Sequence, residues 1–80
     1  MLNSLLSIGQ ISALKLIFSE LDSKIEFECA AIQVNKIAEN IESIEMFHYL
    51  KLICHLLNSQ DKNECQFGKV AFKLLLNDIK

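Results

Sequence analysis

Apolar residues recur along this chain every three or four positions, and nowhere do apolar and polar residues alternate over a strand's length. That spacing predicts helices throughout. Four are expected, over about 3–21, 24–40, 43–57 and 62–79. The breaks between them are polar: Asp22-Ser23 after the first, and Asn58-Ser59-Gln60-Asp61-Lys62-Asn63 before the last. Ser23 followed by Glu26 has capping-box spacing for the second helix, and Asp61 with Glu64 repeats it for the fourth. Glu42 and Glu45 sit at the start of the third, where the helix dipole favours negative charge. Short connections place successive helices antiparallel. The expected fold is therefore all-α: a single domain over 1–80, built as a small four-helix bundle or as two stacked helical hairpins with an open apolar groove.

The helical wheels show an excess of apolar surface. In the third helix His48, Lys51, His55 and Asn58 share a polar stripe about 80° wide. Met46, Phe47, Tyr49, Leu50, Leu52, Ile53, Cys54, Leu56 and Leu57 fill about 220°. The first and fourth helices are similar, with polar stripes of Ser12, Lys15 and Ser19, and of Gln66, Lys69, Lys73 and Asn77. A helix on the surface of a small bundle uses an apolar stripe of only about 100°. The second helix has one such stripe, Phe27, Ala30, Ala31, Val34, Ile37, Ala38 and Ile41. Opposite it lies a shorter one of Ile25, Cys29 and Ile32, flanked by Glu26, Glu28, Gln33, Asn35 and Lys36. Apolar residues in register on a polar face mark a contact patch. Ile25, Cys29 and Ile32, with Met46, Phe47 and Leu50 on the broad arc of the third helix, are the candidate partner-binding residues. Methionine and phenylalanine suit such a surface through adaptability and area.

Near the two ends, GQISALKLIF and GKVAFKLLL rhyme. Each sets a glycine three or four residues before an alanine, Gly9 with Ala13 and Gly68 with Ala71. Such a pair makes a small-residue notch that lets a neighbouring backbone approach. Both stretches are similar to the second half of a tetratricopeptide-type hairpin. The copies stand 58 or 59 residues apart, however, where such repeats need about 34, so no repeat family follows.

Charge and chemistry narrow the function. The net charge is −2, and all eight basic residues are lysine. Without arginine there is no bidentate fork for phosphates or guanine edges, so no nucleic-acid partner is expected. Cys29, Cys54 and Cys65 lack C-x-x-C spacing and read as three small buried hydrophobes in a reducing compartment. The N-terminal stretch has no basic region and makes a poor signal peptide. No uncharged apolar run reaches the roughly 18 residues of a membrane span.

His48 and His55 share a helix face, but Lys51 between them works against a cation, so no metal is expected. Cys54 and His55 are adjacent and point about 100° apart, which is no nucleophile couple. Gly9 and Gly68 stand singly, so no phosphate-cradling loop is present. The sequence thus predicts no catalytic residue, cofactor or small-molecule substrate. It points to a non-enzymatic interaction module that binds another protein or itself. The most concrete version is a small cytosolic chaperone or adaptor that shields an apolar helical segment of a partner. The alternatives are a small regulatory or inhibitory protein of phage, toxin or immunity type, and a structural homodimer.

Overall fold

The computed structural model describes residues 6–21 and 25–78. It contains four helices: α1 (Ile8–Glu20), α2 (Phe27–Ala38), α3 (Ile44–Leu57) and α4 (Lys62–Asp78). The all-α bundle expected from the periodicity is the fold observed.

Local capping sets the helix starts. Ser7 Oγ accepts from Gln10 N at 3.1 Å, and Gln10 Oε1 accepts from Ser7 N at 2.8 Å. This reciprocal box starts α1 at Ile8, later than the expected position near residue 3. Gly9 therefore lies in the first turn, where it interrupts nothing. The Ser23 cap expected for α2 lies outside the described residues. The N-cap of α2 is Glu26, without a side-chain cap bond, so α2 starts at Phe27 rather than at 24. Ser43 caps α3 by accepting from Met46 N at 3.3 Å. Asp61 caps α4 through Oδ1, accepting from Asn63 N at 2.8 Å. Glu64 does not reach back to the cap; its carboxylate accepts from the Ser59 hydroxyl instead.

Each helix packs on its sequence neighbours, and α1 closes the ring against α4. The molecule measures 32 × 22 × 20 Å, two helix diameters by two in cross-section. Packing and dimensions are those of a small four-helix bundle. At the core are Leu14, Ile17 and Leu21 of α1 and its C-cap, and Ala30, Ala31, Val34 and Ala38 of α2. Leu6, ahead of α1, Met46, Leu50, Ile53 and Leu57 of α3, and Phe72 and Leu75 of α4 complete it. Phe18 and Phe72 meet edge to face, with centroids 5.2 Å apart, and join α1 to α4. The expected core stripe of α2 is the observed one: its alanines and valine are buried, and Phe27, Ile37 and Ile41 pack against them.

The two glycine notches differ. Gly68 is buried, and a Cβ there would stand 2.8 Å from Leu56 Cβ and 3.2 Å from Leu57 N. Here a real notch brings α3 and α4 together. Gly9 is exposed, and a Cβ there would meet only Ser7 Oγ, at 4.0 Å. The rhyme at the two ends is one of sequence, not of packing.

Candidate interaction surface

The polar side chains are exposed or locally paired. Among the described residues no polar or charged side chain is buried, and no set of three His, Cys, Asp or Glu could hold a metal ion. His48 and His55 are exposed on α3. Between them, Lys51 donates from Nζ to Asn35 Oδ1 across to α2 and lies 5.7 Å above the Phe47 ring. All three cysteines are free, and none is fully buried as the sequence suggested: Cys29 is exposed on the outer side of α2, and Cys54 and Cys65 are part-buried. Burial pushes the Cys54 thiol up, outweighing the lowering effect of Lys51. That is the opposite of what an activated nucleophile needs. Cys65 Sγ sits 3.0 Å from Ser59 O and 3.6 Å from Leu57 O, capping the end of α3. Tyr49 spans the α3–α4 seam and donates from its hydroxyl to Ala71 O at 3.1 Å.

The six residues expected to contact a partner do not form one surface. Met46 and Leu50 are buried, and their side chains belong to the chain's own core. Phe47 is half-buried against that core beneath Lys51. Ile25 is also half-buried, tied back by its N–H to Glu20 O at 3.0 Å. Of the back stripe, Cys29 and Ile32 are exposed, Ile32 by 59%. Ile32 borders a groove between α2 and α3 that Asn35, Lys51, Cys54 and His55 also line.

Three exposed large apolar residues share α4, more than on any other helix; Leu16 of α1, 59% exposed, stands apart from them in the sequence. Phe67, Val70 and Leu74 are exposed by 65%, 52% and 56%. Their spacing of three and four puts them in one stripe about 60° wide, about 130° around the helix from the core residues Gly68, Phe72 and Leu75. Leu52 of α3 is 52% exposed. It lies three residues after Tyr49 and four before Leu56, the two residues through which α3 meets Ala71 and Gly68. Phe67 and Leu74 flank Ala71 at the same spacings. Leu52 is therefore on the edge of α3 that borders α4, and Phe67 and Leu74 are on the edge of α4 that borders α3.

The sequence reading placed no candidate residue on this face: the three–four apolar spacing is visible in α4, but not which part of its broad apolar arc the other helices cover. Ile8 and Ile44, exposed by 84% and 71%, are isolated first residues of their helices. Among the described residues no helix is long and apolar enough to cross a membrane. Comparison with protein-family models, with curated proteins and with solved structures finds no match to this chain.

Proposed function

We propose that this domain is a non-enzymatic protein-interaction module of the chaperone or adaptor kind, working in the cytoplasm. It holds an apolar helical segment of a partner protein against the outer face of α3 and α4. The observation that carries this reading is the linear stripe of Phe67, Val70 and Leu74, each more than half exposed on one helix face. A straight row at three–four spacing is what the apolar face of an amphipathic helix matches, side chain for side chain. Three free thiols fit a reducing compartment.

Magnitudes set the scale of the contact. Full burial of such a side chain contributes about 1.5–3 kcal/mol, so completing the burial of a half-exposed one contributes about 1 kcal/mol. The three of the stripe supply about 3 kcal/mol, weaker than a millimolar affinity by themselves. The stripe anchors and aligns the partner, and contacts around it must supply the remaining affinity.

The test is a photo-crosslinking amino acid placed at Val70, with Cys29 as the control position, in the native host. The expected result is a crosslink from position 70, and not from 29, to an apolar helical segment of another protein, mapped by mass spectrometry. A crosslink from position 70 only to a second copy of this chain would replace the partner reading with a homodimer. A crosslink from position 29 alone would move the surface to α2.

A further inference from the structure

We draw no further inference here: the strongest candidate, the groove of about 540 Å³ between α2 and α3 bordered by Ile32, Asn35, Lys51, Cys54 and His55, has no buried polar side chain aimed into it, and nothing in the structure shows what fills it.

Discussion

Gly68 is the residue on which the α3–α4 seam depends. Alanine has a higher helix propensity than glycine by about 1 kcal/mol, so Gly68→Ala would stabilise an isolated α4. In the folded chain its Cβ meets Leu56 Cβ at 2.8 Å and the backbone of Leu56 and Leu57 at 3.2–3.3 Å. Backbone atoms cannot move aside as a flexible side chain can. Overpacking of this kind costs about 1–3 kcal/mol. Gly68→Ala should therefore lower the urea midpoint, whereas Gly9→Ala, with open space around it, should leave it unchanged or raise it slightly. Equal effects at the two positions would mean that the seam is looser than described. The difference between the two glycines could not be read from sequence, where both precede an alanine in nearly the same string.

Tyr49 is a second case: the wheel counts it as apolar, yet its hydroxyl bonds across the seam. Burial, and secondarily Asp78, raise its pKa above the ordinary 10.0. The protonated phenol is thus favoured in the folded chain. Its contribution is complete below the unfolded pKa and is lost as pH rises toward the folded one. Tyr49→Phe should cost about 1 kcal/mol at neutral pH through the lost hydrogen bond. The gap between wild type and Tyr49→Phe should then shrink above about pH 10, as measured by paired urea titrations. The paired difference cancels the lysines, which titrate in the same range.

Among the elements, α1 is the least secured. It has no acidic residue in its first turn and no basic residue in its last, so the dipole is uncompensated at both ends. Its start depends on the Ser7–Gln10 box. α3 by contrast buries Met46, Leu50, Ile53, Leu56 and Leu57 and lies between α2 and α4. Amide hydrogen exchange should show α1 exchanging before α3, because local opening follows the density of buried apolar contact. Ser7→Ala should widen that gap and cost about 1 kcal/mol. Uniform exchange across α1 and α3 would contradict the ranking.

The same comparison shows where element boundaries were legible. α3 and α4 begin close to where Ser43 and Asp61 announce them. α1 was placed too early because Leu2, Leu5, Leu6 and Ile8 continue an apolar rhythm through the true cap. The S-x-x-Q spacing of Ser7 and Gln10 was the readable signal against that rhythm. At α2 the cap bond is missing altogether, so no local pattern could mark the start.

For the whole molecule, the question is which apolar arcs are spent on the core and which remain. The excess of apolar surface was visible on the wheels; its location was not. A wheel shows how wide an apolar arc is but not which neighbours cover it, and that depends on the order of helices around the ring. Because α3 lies between α2 and α4, the arc carrying Met46 and Leu50 is consumed internally. Because α4 packs chiefly on α3 and α1, Phe67, Val70 and Leu74 on its other side stay more than half exposed.

This makes a two-sided prediction. Phe67→Glu with Leu74→Glu places both charges on the exposed stripe, where water solvates them. The double variant should keep its helical circular dichroism and its urea midpoint within about 0.5 kcal/mol, the range for surface changes. It should also lose most apolar-dye binding and the crosslink from position 70. Ile53→Asp puts one charge at a position with 0% exposure in the centre of α3. No buried polar partner lies among the described residues, so the carboxylate must either stay unpaired or bring water into the core. That single substitution should unfold the domain. If the double variant unfolded and Ile53→Asp did not, the inside and outside of this bundle would be reversed. If the double variant folded but still bound dye, the exposed apolar face would have to lie elsewhere, and α2 with Ile32 would be the next surface to test.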